Sequence, residues 1–148
     1  MSVSAEFQNR INDLISEEDL QKSDLPNKIG IDYSLFSKAV NYGIVPKPMV
    51  LMRIADYFNV SVEYLLAKTN DEHFYKAEKP SNFQERIESL RKSKDISYYE
   101  LTKKLHIGKS YFSKWKIHGY LPSFELLVLI ADYFDVSIDY LLGRTDDK

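Results

Sequence analysis

The fold of the chain is best understood from one stretch, Ile107-Gly108-Lys109-Ser110-Tyr111-Phe112-Ser113-Lys114-Trp115-Lys116. On a helix with about 100° per residue, Phe112 and Trp115 lie on one side, with Tyr111 at its edge. The opposite side carries basic and hydroxyl side chains and no acid: Lys109, Ser110, Ser113, Lys114 and Lys116. We therefore predict a helix that docks on a core through its aromatic side and presents a cationic side able to enter a major groove.

The composition limits the classes of protein that the chain can form. It has 148 residues, 44% of them apolar, which suits one or two small globular domains. There is no cysteine, which removes disulfides, thiolate metal sites and cysteine catalysis. No apolar run approaches the roughly 18 residues of a membrane span, and the N-terminus lacks the features of a signal peptide. We expect a cytoplasmic protein that does not act at a membrane.

The charge is unevenly distributed, although the net value is only −2. Residues 10–40 contain four basic and six acidic residues, whereas residues 86–116 contain nine basic and three acidic residues. A local basic patch matters more for phosphate binding than the total charge of the chain. The second half of the chain is therefore the candidate for nucleic-acid binding.

The sequence repeats itself with an offset of 76 residues, the distance from Phe7 to Phe83. The run Phe-Gln-x-Arg-Ile occurs at 7–11 and again at 83–87, and Ile-Ala-Asp-Tyr-Phe occurs at 54–58 and again at 130–134. Such recurrence predicts two copies of one domain. We assign residues 1–71 to the first domain, 72–80 to a linker and 81–148 to the second domain. The aromatic run at 73–75 makes us expect part of this linker to pack on a domain.

Helical periodicity and capping residues predict five helices in each copy, and no alternating strand pattern is present, so the fold class is all-α. In the first copy we expect helices at about 5–16, 23–29, 33–41, 49–58 and 62–67. In the second we expect them at about 82–93, 97–105, 109–117 and 124–134, with a last one after Ser137. Ser23 and Asp32 are predicted N-caps, and Ser81 with Gln84 is a predicted capping box.

The second copy resembles the phage-repressor-like (XRE, lambda-repressor-like) helix-turn-helix family. The resemblance lies in Ile96-Ser97-Tyr98-Tyr99-Glu100-Leu101, in the stretch from Leu105 to Trp115, in Leu121-Pro122-Ser123, and in the ending from Val136 to Gly143. It implies two tandem five-helix domains that bind operator DNA, usually as dimers. The second copy carries most of the match, and His106 departs from a position often held by glycine.

The resemblance also implies roles for individual residues. Lys109, Ser110 and Ser113 occupy base-reading positions, and Tyr111 is open between a groove contact and the edge of the core. The expected phosphate contacts on this basis are Ser97, Tyr98, Lys114 and Lys116. Independently of the resemblance, the basic residues Arg91 and Lys92 are further candidates for phosphate contact. Tyr98 replaces a glutamine that often contacts phosphate, so one hydrogen bond is kept and a bidentate contact is lost. Arg91 and Lys92 also suit the negative end of the preceding helix, and the lysines could simply form a solvated face.

The first copy departs from this pattern. Tyr33, Ala39 and Val40 stand where the second copy has Lys109, Trp115 and Lys116. Acids lie around the part that would face phosphate, where they add repulsion: Glu17, Glu18, Asp19, Asp24 and Asp32. We interpret the first copy as a degenerate reader used for dimerisation or for binding another protein.

The sequence therefore predicts a sequence-specific transcriptional regulator from a bacterium or phage, a repressor that occludes an operator as a homodimer on double-stranded DNA. The alternative is a protein-interaction module on the same scaffold, such as an antitoxin or a phage-encoded inhibitor of a host protein. No nucleophile with a base, carboxylate pair or glycine-rich phosphate loop stands out, so we expect no enzyme and no cofactor. His73, His106 and His118 are too scattered for a metal site.

Overall fold

A computed structural model describes residues 2–18 and 21–148, and the chain divides into two compact units, Met1–Phe74 and Tyr75–Lys148. Within the described residues both units are built from α-helices, which confirms the all-α prediction. The first unit contains α1 Ala5–Ser16, α2 Leu25–Ile29, α3 Tyr33–Tyr42, α4 Pro48–Phe58 and α5 Val62–Leu65. The second contains α6 Phe83–Ser93, α7 Tyr98–Leu105, α8 Lys109–His118, α9 Phe124–Phe134 and α10 Ile138–Leu141.

The helix bounds follow the sequence repeat closely. α8, α9 and α10 begin and end 76 residues after α3, α4 and α5. The residues that close helices in the left-handed conformation also recur at this offset, with Asn59 at φ 55° matched by Asp135 at φ 54°. We interpret this correspondence as two copies of one domain, and this interpretation stays a prediction.

Each unit has its own apolar core. In the first unit α1 packs on α3 and α5, and α2 packs on α3 and α4. In the second unit α6 packs on α10, α10 on α9, and α7 on α8. The most deeply buried side chains are Phe7, Ile11, Leu25, Leu51, Ile54 and Leu65 in the first unit, and Phe83, Leu101, Leu127, Ile130, Ile138 and Leu141 in the second. Burying each of these contributes about 1.5–3 kcal/mol, which is how such small units hold together.

Two of the predicted caps are wrong. A 3-10 turn, Lys22–Asp24, precedes α2, so Asp24 rather than Ser23 is the N-cap residue. Asn82, not Ser81, caps α6, and its side chain accepts from the backbone N–H of Glu85. The reason is register: Asn82 has the extended backbone that a cap needs, which puts Glu85 rather than Gln84 at the third helical position. Asp32 is at the N-cap position of α3, but its side chain makes no capping bond there.

Hydrogen bonds join residues 75–81, at the start of the second unit, to residues 143–145. The Thr145 hydroxyl donates to the Tyr75 carbonyl at 2.7 Å, and the Ala77 N–H donates to the Arg144 carbonyl at 3.0 Å. The Ser81 N–H donates to the carbonyl of Gly143 at 3.3 Å. The later part of the predicted linker thus packs on the second unit. In the described part of the chain, no helix has the length and apolar character needed to cross a membrane.

Candidate nucleic-acid interface

The turn between α7 and α8 sets the direction of α8, the helix predicted to enter the major groove and read bases (the reading helix). His106 closes α7 with φ 56°, the left-handed conformation that favours glycine and costs other residues roughly 1–2 kcal/mol. Gly108 then has extended backbone and is the N-cap residue of α8. The first unit has Gly30 at the matching position, with φ 83°. His106 therefore departs from the family pattern in residue type but adopts the backbone that the glycine would supply.

The two sides of α8 differ as predicted. Phe112 and Trp115 are 7% and 4% exposed, and their rings meet edge-on with centroids 4.8 Å apart. This confirms that Trp115 is a core residue. The cationic and hydroxyl side chains are exposed: Lys109, Ser110, Ser113, Lys114 and Lys116. Tyr111 is 44% exposed with its ring 6.0 Å from that of Trp115, so it lies at the edge of the core and also faces solvent.

Four of the predicted contact residues share one groove between α7 and α8. Lys109, Phe112, Ser113 and Lys116 line it from α8, and Tyr98, Tyr99 and Thr102 line it from α7. Its volume is about 320 Å³. Exposed Ser110 and Lys114 do not line this groove. The helix thus offers a groove-lining set and a more peripheral set of polar side chains.

Ser97 and Tyr98 stand at the start of α7, where phosphate contacts were predicted. The Ser97 hydroxyl oxygen accepts from the Glu100 N–H at 3.1 Å and the hydroxyl donates to the Glu100 carboxylate at 3.1 Å. Ser97 is therefore the N-cap, and its hydroxyl is used within the helix. The Tyr98 hydroxyl donates to the carboxylate of Glu88. A phosphate that took either hydroxyl would have to replace these internal bonds.

The Glu88 carboxylate is the common partner of basic side chains on α6 and of the Tyr98 hydroxyl on α7. Arg91 donates to it at 2.6 Å, and Lys92 lies 3.6 Å away. The Arg91 guanidinium also lies over the Tyr98 ring, 4.5 Å from its centroid, and donates to the Ile96 carbonyl at 3.1 Å. Hydrogen bonds from Arg91 and then from Tyr98 lower the pKa of Glu88 to about 2. Burial and the bond to Glu88 raise the pKa of Tyr98.

Within this cluster, the two phosphate contacts predicted at the end of α6, Arg91 and Lys92, differ in how exposed they are. Arg91 is held within the domain, whereas the side chain of Lys92 is 70% exposed. Sequence reasoning placed both at the end of α6 but did not identify Glu88 as their common partner. The signal was present, because Glu88 precedes Arg91 by three residues and Lys92 by four, spacings that bring side chains together on a helix.

The glutamine of the repeated Phe-Gln-x-Arg-Ile run also has a role that sequence reasoning missed. Gln84 donates from Nε2 to the carbonyl oxygens of Trp115 at 3.0 Å and Tyr120 at 3.3 Å. In the first unit, Gln8 donates to the carbonyl oxygens of Val40 at 3.1 Å and Asn41 at 2.9 Å. The recurrence of the motif was the available signal, and it marked a tie between the first helix of each unit and the end of α3 or α8.

The corresponding surface of the first unit has different chemistry. Tyr33, at the position of Lys109, is 66% exposed, and Ala39 and Val40 are buried where the second unit has Trp115 and the exposed Lys116. Asp24 and Asp32 are exposed near the start of α2 and α3. Asp19, also predicted to oppose phosphate, lies outside the described residues. This surface combines an exposed phenol with nearby carboxylates instead of a row of lysines.

Across residues 2–18 and 21–148, no three His, Asp or Glu side chains come together in a way that could hold a metal ion. The charged groups of the second unit pair with one another or face solvent, as in the Glu88 cluster.

Comparison with known proteins finds a similarity that includes the second unit. Residues 85–148 match the family model described as the bacteriophage CI repressor helix-turn-helix domain. The chain is 36% identical over 63 residues to an uncharacterized HTH-type transcriptional regulator of Bacillus subtilis (strain 168), YobD, an alignment covering 43% of this chain and 56% of the relative. It is 38% identical over 64 residues to the HTH-type transcriptional regulator AnsR of the same strain, covering 43% and 55%.

A third relative is the HTH-type transcriptional activator BcrR of Enterococcus faecalis, 33% identical over 61 residues, which cover 41% of this chain and 30% of BcrR. The chain thus spans about a third to somewhat over half of the relatives it matches. No solved structure matches it significantly. These findings support the helix-turn-helix resemblance for residues 85–148, and they leave the tandem-copy interpretation of the first unit as a prediction.

Proposed function

We propose that this protein is a sequence-specific DNA-binding transcriptional regulator that acts through its second unit. The observation that carries the proposal is the exposed side of α8, where Lys109, Lys114 and Lys116 stand with two serines and no acid, on a helix anchored by buried aromatics. Such a surface can place donors against base edges and phosphate oxygens together. Three similar proteins carry names of helix-turn-helix transcriptional regulators, which supports the same function here.

The proposed mechanism is occlusion of an operator by a homodimer. α8 enters the major groove, Lys109, Ser110, Ser113 and Tyr111 face base edges, and Lys114 and Lys116 approach the backbone. Two copies would read half-sites about 34 Å apart on a palindromic operator. One relative is named an activator, so the direction of control is tested separately. We propose that the protein works in the cytoplasm.

The first unit serves dimerisation or binds another protein in this proposal. Its residues 10–40 hold six acidic and four basic residues, and Tyr33 replaces the first lysine of the reading helix. This acidic surface also favours the second candidate function, a protein-interaction module in which both units bind proteins. An acidic surface can imitate nucleic acid and so occupy a basic site of a partner.

The test is DNA binding as a function of salt, with the full chain and a random-sequence duplex. A reader that makes several phosphate contacts loses affinity by orders of magnitude between about 50 and 200 mM salt. Selection of bound sites from random DNA then gives the operator, and the mass in solution gives the oligomer. A reporter gene carrying the selected site distinguishes repression from activation. Absence of salt-sensitive DNA binding and of heparin retention would favour the protein-interaction module.

A further inference from the structure

Tyr99 lies at the junction of α7 and α8, with two lysine ammonium groups close to its ring. The ring centroid is 4.4 Å from Nζ of Lys103 and 4.6 Å from Nζ of Lys109. Tyr99 itself is 50% exposed, so its ring is available to solvent as well as to the lysines. Both distances lie within the range in which an aromatic ring attracts a cation through its negative face.

The same ring brings two like charges together before any partner binds. Both ammonium nitrogens lie near one centroid, so they are at most about 9 Å apart, a separation at which exposed like charges still repel. The ring offsets part of this repulsion, and a phosphate would offset more. The nearest acid along α7, Glu100, accepts from the Ser97 hydroxyl at 3.1 Å. The cluster therefore combines a concentrated positive charge with an exposed aromatic ring.

The cluster is specific to the second unit. At the matching positions of the first unit, the chain has Ser23, Asn27 and Tyr33, so neither lysine nor the ring of Tyr99 is kept. The Tyr99, Lys103 and Lys109 side chains also line a depression together with His106 and Gly108 of the turn. The unit that lacks the basic face on its third helix thus also lacks this cluster, as expected if both serve one activity.

We propose that Tyr99 is a positioning residue of the DNA interface and that Lys103 is a further phosphate contact. The Tyr99 ring holds Lys103 and Lys109 beside the turn between α7 and α8, so these side chains lose less freedom when DNA binds. Lys103 meets the backbone while Lys109 is directed at a base edge. This inference rests on the proposed function of the second unit and adds to it two residues that the helix-turn-helix resemblance did not assign.

The test is a double-mutant cycle on the full chain with a random-sequence duplex. Tyr99→Leu removes the ring face, and we expect an affinity loss of about fivefold. Tyr99→Phe keeps the ring and should retain affinity to within about twofold. Lys103→Ala should lower the slope of log affinity against log salt by about one, as loss of one phosphate contact does.

The coupling between Tyr99 and Lys103 separates positioning from a general loss of structure. Tyr99→Leu combined with Lys103→Ala should cost less than the sum of the single losses, because the ring no longer has that lysine to hold. Tyr99→Leu combined with Lys104→Ala is the matched control and should be additive, since Lys104 is an exposed neighbour on the same helix. Equal melting temperatures check that each variant folds.

The outcomes distinguish this inference from the function on which it rests. If the unaltered protein shows no salt-dependent DNA binding, the proposed function fails. If the protein binds DNA but Tyr99→Leu binds equally well, or Tyr99 and Lys103 act additively, the positioning role is wrong. A loss with Tyr99→Phe as large as that with Tyr99→Leu would overturn the role of the ring, because it would assign the effect to the hydroxyl.

Discussion

The side-chain amide of Gln84 donates to the main-chain oxygen of Trp115 at 3.0 Å and so ties α6 to the last turn of α8. The same oxygen also accepts from the Gly119 N–H at 3.1 Å, so the amide adds a second bond from another helix to it. In the first unit Gln8 donates to the Val40 carbonyl at 3.1 Å, one residue further along the helix than the position that matches Trp115. The pair offers a matched test of what the tie contributes to stability and to function.

Gln84→Ala should destabilise the second unit by about 1 kcal/mol, because the hydrogen bonds from α6 to the Trp115 and Tyr120 carbonyls are lost. It should also weaken DNA binding, since the end of α8 is less firmly held. Gln8→Ala should cost the first unit a similar amount and leave DNA affinity unchanged. Urea denaturation and DNA titration measure the two effects. Equal DNA-binding losses in both variants would contradict the assignment of reading to the second unit.

The degenerate role of the first unit is tested by a pair of lysines at equivalent positions, Lys38 and Lys114, both exposed on the third helix of their units. Lys114→Ala should reduce the salt dependence of DNA binding by about one phosphate contact. Lys38→Ala should leave it unchanged, because the surrounding surface carries carboxylates. A matching loss in Lys38→Ala would indicate that both units contact DNA.

Base reading and backbone contact are separated by two lysines of α8. Lys109→Ala should weaken binding to the selected operator more than binding to random DNA, by ~1–3 kcal/mol if it reads a guanine. Lys116→Ala should weaken binding to both duplexes alike. Competition titrations with the two duplexes give the ratio for each variant. Should neither variant change DNA binding, the exposed side of α8 is not the contact surface.

The Glu88 cluster predicts a pH dependence of stability. The pKa of Glu88 falls from its ordinary 4.5 to about 2 in the folded protein, so the unfolded chain takes up a proton first as the pH drops. The contribution is fully present above pH 4.5 and is lost as the pH falls toward 2.

Glu88→Gln tests this contribution. It should cost about 1 kcal/mol at neutral pH, the upper end for an ion pair that is partly exposed, and the difference from the unaltered protein should shrink in acid. Denaturation curves at several pH values follow the difference. Glu125→Gln, at an exposed position, is the control and should show no such narrowing. A pH-independent cost in Glu88→Gln would mean that the carboxylate's charge is not involved.

Two glycines with left-handed backbone should differ sharply in their tolerance of a side chain. A Cβ on Gly143 would lie 2.3 Å from the main-chain carbon and oxygen of Ser81, whereas a Cβ on Gly119 would meet nothing within 4 Å. Gly119→Ala should therefore cost only the backbone strain, roughly 1–2 kcal/mol. Gly143→Ala should cost clearly more, because backbone must move. Thermal denaturation of the two variants checks the order, and equal costs would contradict the close approach at Ser81.

Much of the fold could be predicted from local pattern. Apolar periodicity placed α1 and α9 at their observed bounds, and the buried and exposed sides of α8 follow from the spacing of Phe112 and Trp115. The caps were less predictable, because Ser81 and Asn82 are both good capping residues and only the backbone register selects Asn82. The spacing of residues indicated which side of α8 is exposed. It did not indicate that predicted contact residues such as Ser97 and Tyr98 already have hydrogen-bond partners within the domain.

The sequence by itself determined the all-α class, the repeat at 76 residues and the cationic exposed side of α8, because periodicity and charge along a helix are local properties. Only the tertiary structure decided that Glu88 takes the Tyr98 hydroxyl, that Gln84 reaches Trp115, and that Lys103 and Lys109 meet at Tyr99. Most of these contacts join different helices. Their partners depend on how the helices pack in space, which spacing along one helix does not specify.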